Sequence, residues 1–231
     1  DPNLAEVLTM GCWTPVERFG IGDWEARAIA PDGSAFEVYH QGSPQGRAEW
    51  PQLGLHNVHN ALAALAAARH AGVATTTALA ALADFQGIKR RLEARGTVND
   101  VTVYDDFAHH PTAIATTLAG LRARVGDQPI VAVLEPRSNT MKLGVFKDSL
   151  APALALADAV VLYQAPDLGW DLGVVAAALG PRGQVCHSLD DTLTAIHART
   201  QPGTQVLIMS NGGFGGIHER LLRKLRADAD A

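Results

Sequence analysis

The stretch "VTVYDDFAHHPTAIATTLAGLRARV", residues 101–125, decides how the chain is read. Val101 to Tyr104 is a short apolar run rich in β-branched and aromatic residues, which suits a buried strand. It ends in two adjacent carboxylates, Asp105 and Asp106, followed by His109 and His110. Pro111 then fits the first position of a helix, where its missing N–H costs nothing. A strand, a polar corner and a helix make half of a βαβ unit. The same alternation continues downstream. "PIVAVLEP" (129–136), "AVVLYQA" (159–165), "GQVCHS" (183–188) and "QVLIMSNGG" (205–213) read as strands. "KDSLAPALALA" (147–157), "DLGVVAAALG" (171–180), "LDDTLTAIHART" (189–200) and "GIHERLLRKLRA" (216–227) read as helices. Short apolar strands between such helices predict an α/β fold with a mostly parallel sheet. In such sheets ligands gather at the C-terminal ends of strands. Three polar clusters sit there: "DDFAHHP", "EPRSNTMK" and "SNGGFGG". If their strands are all parallel, the clusters converge on one edge.

The first part of the chain has a different texture. "DWEARAIA" (23–30) and "FEVYHQ" (36–41) alternate around a "PDGS" turn, and "RAEWPQL" (47–53) fits a third short strand. This predicts a small antiparallel meander. "NVHNALAALAAARHAGV" (57–73) reads as a helix stopped at Gly72, and "TTTALAALADF" (75–85) as a second with a threonine near its N-cap. The boundary between the two parts is expected near residue 95, giving domains at 1–94 and 95–231, with "KRRLEARG" as the link.

Composition narrows the function classes. The chain has 231 residues, 47% hydrophobic and 19% charged, which is enough for a sizeable core. Its net charge of −5, with no basic stripe, argues against a nucleic-acid partner. No apolar run approaches the ~18 residues of a membrane span, so no membrane partner is expected. Cys12 and Cys186 form no framework, fit a reducing cytoplasm, and are expected to be small buried apolar residues. The N-terminus lacks a starting Met and a signal-like segment, which suggests a piece of a longer protein.

Several polar clusters could carry chemistry. "GLHNVHNALAA" (54–64) crowds His56, Asn57, His59 and Asn60 at a helix start, where free N–H groups favour anions. Asn57 could equally cap that helix. An asparagine side chain can also read an adenine edge. "GIKRRLEARG" (87–96) offers arginine forks for phosphate or carboxylate, or a solvated linker. The Asp/His corner could hold Mg²⁺ indirectly, grip a ribose hydroxyl, do acid/base work, or cap the next helix. Arg137 and Lys142, with Ser138, Asn139 and Thr140 between them, suit an oxyanion or carboxylate. The glycines of "MSNGGFGGIH" let backbone approach a ligand, with His218 on the helix beyond. No set of ligands is spaced for a transition metal, so no metal site is expected within the chain. No G-x-x-x-x-G-K-[ST] loop occurs anywhere in the sequence.

"GLHNVHNALAALAAARHAGV", "FQGIKRRLE" and "VYDDFAHHPTAI", in that order, resemble the Mur ligase family over nearly the whole chain. The first resembles its G-x-H-N-x-x-N-A helix start, the second its arginine motif, and the third its strand-end Asp/His motif. "GCWTP", "LEPRSNTMK" and "MSNGGFGGIHERLL" resemble the branch that ligates murein tripeptide. The branch that adds L-alanine shares the D-D-x-x-H-H-P pattern and is one alternative; a non-catalytic peptide- or nucleotide-binding module is the other. The resemblance implies the tail of a central ATPase domain followed by a Rossmann-like C-terminal domain. The remaining N-terminal domains, carrying the phosphate loop and most Mg²⁺ ligands, would be this chain's partners.

The implied activity is ATP-dependent. It joins L-Ala-γ-D-Glu-meso-diaminopimelate to UDP-N-acetylmuramate through an acyl phosphate that the peptide amine attacks. The resemblance also implies residue roles. His56, Asn57, Asn60, Arg91, Asp106 and His110 would bind the nucleotide, with Asn60 at the adenine, Arg91 on ATP and Asp106 on the ribose. Arg137, Asn139 and Lys142 would face the tripeptide or the developing phosphate. Asn211, Gly212, Gly213 and His218 would line the peptide pocket. Asp106, His110, Arg137 and Lys142 are the implied catalytic set.

Overall fold

Val101–Asp106 is a strand, and Pro111–Val125 is the helix that follows it, with Pro111 in its first turn. The computed structural model describes residues 2–229. The chain divides into two units, the first ending at Phe85 and the second beginning at Gln86.

The first unit contains α1 (Pro2–Thr9), β1 (Trp24–Ala28), β2 (Ala35–His40), β3 (Ser43–Glu49), α2 (Leu55–His70) and α3 (Thr75–Ala83). The three strands form the expected antiparallel meander, in the order β1-β2-β3. β3 starts earlier than expected because Gln41 and Gly42, both at positive φ, make a two-residue hairpin turn. Trp24, Phe36, Val38 and Trp50 pack with Val58, Leu62 and Leu65 of α2 and Leu79 of α3. Gly72 ends α2 at φ 88, while Val73 N–H reaches back to the Ala68 carbonyl at 3.0 Å. The expected threonine cap of α3 is absent; Ala74 occupies the N-cap and no side chain caps that helix. Cys12 is exposed, against the expectation of burial, whereas Cys186 is buried. Cys12 lies beyond α1, outside any strand or helix that could bury it.

The second unit holds β4 (Glu93–Val98), β5 (Val101–Asp106), α4 (Pro111–Val125), β6 (Ile130–Leu134), α5 (Asn139–Lys142), α6 (Lys147–Ala153), β7 (Ala159–Tyr163), α7 (Gly173–Leu179), β8 (Gly183–Cys186), α8 (Leu189–His197), β9 (Gln205–Met209) and α9 (Ile217–Ala229). The strands make one sheet in the order β4-β5-β9-β6-β7-β8. All neighbours are parallel except β4, which pairs antiparallel with β5. Side chains along each inner strand alternate between two apolar layers. Ala132, Leu134, Leu207 and Met209 face α4, α6 and α7. Val131, Val133, Val206 and Ile208 face α8 and α9.

The structural division falls before the expected boundary near residue 95. The reason is β4, which lies in the segment read as a link. Asn99 and Asp100, both at positive φ, fold β4 onto β5 in a two-residue hairpin. Glu93, Arg95 and Thr97 leave β4 with only weak apolar alternation, so charge masked the strand.

Leu207 is fully buried on β9, with neighbours on both sides. Leu207→Ala should destabilise the protein by about 3 kcal/mol, through lost burial and the cavity left behind. Urea unfolding of the two proteins measures this difference.

Candidate functional site

Three parallel strands end in register. Asp106 pairs with Met209, and Met209 pairs with Leu134. The next residues on these strands are Phe107, Ser210 and Glu135, so the three polar corners lie side by side at one sheet edge, as the parallel reading required. Ser210 Oγ donates to Glu135 Oε2 at 2.5 Å and accepts from Gly212 N–H at 2.9 Å. Ser210 N–H donates to the Asp106 carbonyl at 3.1 Å. Both Ser210 and Glu135 are buried.

Asp105 is the electrostatic centre of this edge. It is 3% exposed and meets three cationic or titratable groups. Arg90 Nε and His218 Nε2 each lie 3.4 Å from Oδ1, and Arg95 Nη1 lies 3.4 Å from Oδ2. Arg95 also reaches Glu219 at 2.9 Å. The pairing of β4 with β5 skips Arg95, since Ala94 opposes Tyr104 and Gly96 opposes Val103. That bulge turns Arg95 toward Asp105. Partners on both oxygens offset part of the cost of burying a carboxylate.

His218 was expected to line a pocket. The structure buries it instead, because its place at the start of α9 packs it against Asp105. Burial pushes the imidazole below its ordinary range; Asp105 opposes this shift, and Arg95 and Arg90 add to it.

Asp106 has a different job from its neighbour. Its Oδ2 accepts from Leu92 N–H and its Oδ1 from Ala108 N–H, both at 2.7 Å. Burial raises its carboxyl above the usual range, while those two N–H groups and the Arg91 charge work against the rise. With both oxygens engaged and 3% exposure, the carboxylate expected to grip a ribose instead pins two loops. His110, exposed, caps α4 by accepting from Thr112 N–H at 3.3 Å, and its ring meets Phe146 edge-on. His109 contacts the Phe107 carbonyl through Nδ1. Arg91 is exposed, and its guanidinium lies 5.4 Å from the Phe107 ring centroid.

Arg137 is exposed and runs against Gly212, where a Cβ would lie 2.4 Å from its Nη1. A side chain at position 212 would have to displace Arg137. Asn139 is exposed at the start of α5, a one-turn helix capped by Ser138. Lys142 pairs with Asp167 and holds that carboxyl below its usual range. Gly213 is exposed beside Gly212. Asn211 Oδ1 is shielded from solvent and accepts no hydrogen bond. The edge therefore offers an exposed guanidinium packed against Gly212, the residue after the unused acceptor.

In the first unit, α2 starts after Gly54 with no side-chain cap, so Asn57 does not cap it. Asn57 donates instead to the Leu53 carbonyl at 2.8 Å, and Asn60 donates to Asn57 Oδ1 at 3.3 Å. Asn60 is exposed, while His56 is half-buried one turn earlier. His59 lies against Gly20 and lines a cavity of about 890 Å³ with Leu4, Leu8, Phe19 and Ile21.

Among the described residues, no group of three or more His, Cys, Asp or Glu side chains could hold a metal ion. The donor chemistry agrees: Asp105 faces guanidinium groups and Asp106 faces N–H groups. Neither aspartate leaves a carboxylate oxygen without a partner, so the pair does not fit a resident Mg²⁺, which binds through one or two carboxylates beside water and phosphate.

The family described as "Mur ligase, glutamate ligase domain" matches residues 90–212. The chain belongs to the Mur ligase family. A UDP-N-acetylmuramate–L-alanyl-γ-D-glutamyl-meso-2,6-diaminoheptandioate ligase from Escherichia coli (strain K12) is 49% identical over 100% of this chain and 51% of its own length. One of the same description from Haemophilus influenzae (strain ATCC 51907 / DSM 11121 / KW20 / Rd) is 48% identical over 98% of this chain and 50% of its own. A crystal structure of a murein peptide ligase from Psychrobacter arcticus 273-4 shares 45% identity with a TM-score of 0.72, over 97% of this chain and 49% of that one. The chain thus spans about half the length of the curated relatives it matches. Among the described residues, no helix is long and apolar enough to cross a membrane.

Reading the family motifs left Arg90, Asp105, Arg95, Glu135 and Ser210 without roles. The "VNDV" turn signal could have revealed β4 and hence the approach of Arg95 to Asp105. Nothing local could have joined Glu135 to Ser210, 75 residues away, since the strand order brings them together.

Two measurements test this description. Asp106→Ala strips the acceptor from two backbone N–H groups and should cost about 3 kcal/mol, read from urea unfolding. Because folding holds His218 neutral, the unfolded chain takes up its proton first as pH falls below about 6.5. The His218 contribution to stability is therefore present above that pH and is lost as pH drops through the lowered folded value. Thermal unfolding from pH 7.5 to 5 should show a flatter acid limb for His218→Gln than for the wild type.

Proposed function

We propose that this chain works as part of an ATP-dependent ligase that joins L-alanyl-γ-D-glutamyl-meso-diaminopimelate to UDP-N-acetylmuramate. The observation that carries the reading is the in-register edge of β5, β9 and β6, where the three family corners stand together. Identity of 49% to a ligase of that description, along the whole chain, supports the same substrate. The groups that grip the triphosphate and Mg²⁺ are assigned outside these residues, and a cytoplasmic location accompanies this reading.

In this reading ATP turns the UDP-N-acetylmuramate carboxylate into an acyl phosphate. The chain's own residues receive and orient the peptide amine that attacks it, a task of positioning and charge rather than proton chemistry. Arg137 pairs with a peptide carboxylate through its planar fork. Asn211 Oδ1, shielded and without a donor, accepts an N–H from the incoming peptide. Gly212 and Gly213 leave backbone open to it, and Asn139 extends the polar rim. Lys142, paired with Asp167, is assigned to face the developing phosphate. Arg91 and His110 are both exposed, which suits contact with the nucleotide. Asp106 acts through the loops it pins, and His218 through Asp105. Asn60, exposed on α2 and held by Asn57, is assigned to the adenine, with His56 nearby.

The deciding assay is phosphate release by the full-length protein with ATP, UDP-N-acetylmuramate and tripeptide. Release with free L-alanine but not with tripeptide would move the chain to the L-alanine-adding branch. Arg137→Ala should raise KM for the tripeptide by about tenfold or more, the effect of losing one charged pair, and change KM for ATP little. Arg91→Ala should do the reverse.

A further inference from the structure

The sequence places Arg90 in a cationic run that suits phosphate, yet its side chain is committed inside the protein. Its Nη2 donates to the Ser210 carbonyl at 2.6 Å and to the Gly212 carbonyl at 2.7 Å. Its Nε faces Asp105 at 3.4 Å. The backbone around it is held in an unusual shape, with Arg90 at φ 60 and Leu92 at φ 51. Left-handed geometry is unfavourable for side chains such as these. Three hydrogen bonds keep it there: Arg90 N–H to Glu93 Oε2 at 2.8 Å, Leu92 N–H to Asp106 Oδ2 at 2.7 Å, and Phe107 N–H to the Arg90 carbonyl at 2.8 Å. A strained turn fixed from three sides aims one guanidinium at two carbonyls 120 and 122 residues downstream.

The loop that Arg90 grips is held from its other side as well. Glu135 takes the Ser210 hydroxyl, and that hydroxyl takes Gly212 N–H. Between the two gripped carbonyls lies Asn211, with its side-chain oxygen shielded and unpaired. Gly212 in turn carries the Arg137 side chain against its face. The position of Asn211 and the approach of Arg137 both depend on where carbonyls 210 and 212 sit.

We propose that Arg90 is a positioning residue for the amine-bearing peptide: with Asp105 behind it, it latches residues 210–212 so that Asn211 and Arg137 meet the substrate in a fixed geometry. It touches neither substrate nor nucleotide. Its neighbour Arg91, exposed and free of these carbonyls, faces the nucleotide side. Two adjacent arginines thus serve two different substrates. A lysine could keep the charge beside Asp105, but it has no planar fork to hold two carbonyls and a carboxylate together.

This inference rests on reading residues 210–213 as the peptide-facing loop, and the experiment separates the two. Hydrogen exchange of the full-length protein is compared between wild type and Arg90→Lys, with the α7 segment as the control for global folding. Faster exchange is expected in the segment covering 205–217, with α7 unchanged. In steady-state phosphate release, Arg90→Lys should raise KM for the tripeptide by about tenfold, with KM for ATP within about twofold of wild type. Arg91→Lys should show the opposite split and leave exchange in 205–217 alone. Glu135→Gln keeps an acceptor for Ser210 and should shift the tripeptide KM in the same direction as Arg90→Lys, by less. Unchanged exchange in 205–217 for Arg90→Lys overturns the latch while leaving the ligase reading intact. Faster exchange with a shift in the ATP KM alone overturns the link between latch and peptide. A wild-type protein that releases no phosphate with tripeptide overturns the underlying reading, whatever Arg90 does to the loop.

Discussion

β9, the last strand in the chain, lies between β5 and β6, and the parallel hydrogen-bonded register it imposes organises the second unit. Asp106, Met209 and Leu134 end on one line across three strands. Every polar group that follows them is delivered to the same edge. The register also explains the core. Residues alternate along the inner strands between two helical layers, so a slip of one residue would turn the whole apolar set to the wrong side. Burial of Val206, Leu207, Ile208 and Met209 ties the register to the stability of the unit.

Two adjacent carboxylates at the end of β5 divide the work at that edge. Asp105 points to two guanidinium groups and an imidazole, and the bulge in β4 and the start of α9 bring Arg95 and His218 to it. Asp106 points to backbone N–H groups and fixes the loops before β4 and after β5. Neither carboxylate is exposed, so both shape the edge from beneath. The exposed groups are Arg91, His110, Arg137, Asn139 and Gly213, which come from the corners around them. Rigid buried polar partners under a polar rim are what a site needs if it is to orient a substrate rather than exchange protons with it.

Much of the architecture was legible in the sequence. The strands at 101, 130, 159, 183 and 205 and the helix opening at Pro111 follow from runs of β-branched residues and from proline chemistry, both of which act locally. The meander of the first unit was legible for the same reason. β4 was not, because its charged residues broke the apolar alternation, and its hairpin signal, Asn99-Asp100, lacks the glycine that usually marks such turns. The burial of Cys12 was misjudged because composition says which residue types tend to be inside, not which segments have neighbours. Within the edge, Arg137, Asn211 and the glycines could be named from their motifs. The motif singled out Arg91 and left Arg90 without a role, because the φ of 60 that accompanies the inward turn of Arg90 is invisible in a string of letters.

By itself the sequence determined the alternation of strand and helix, the family, and which polar corners end the parallel strands. These rest on residue types and short spacings, which act over a few residues. Only the tertiary structure decided which members of each corner face outward and which are consumed within it. Asp106 and His218 were expected to contact a ligand, and the fold buries both, together with Asp105, Glu135 and Ser210. The physical reason is that a buried polar group must find its partners, and here those partners come from as far as 120 residues away in the chain, as Arg90 does for Ser210.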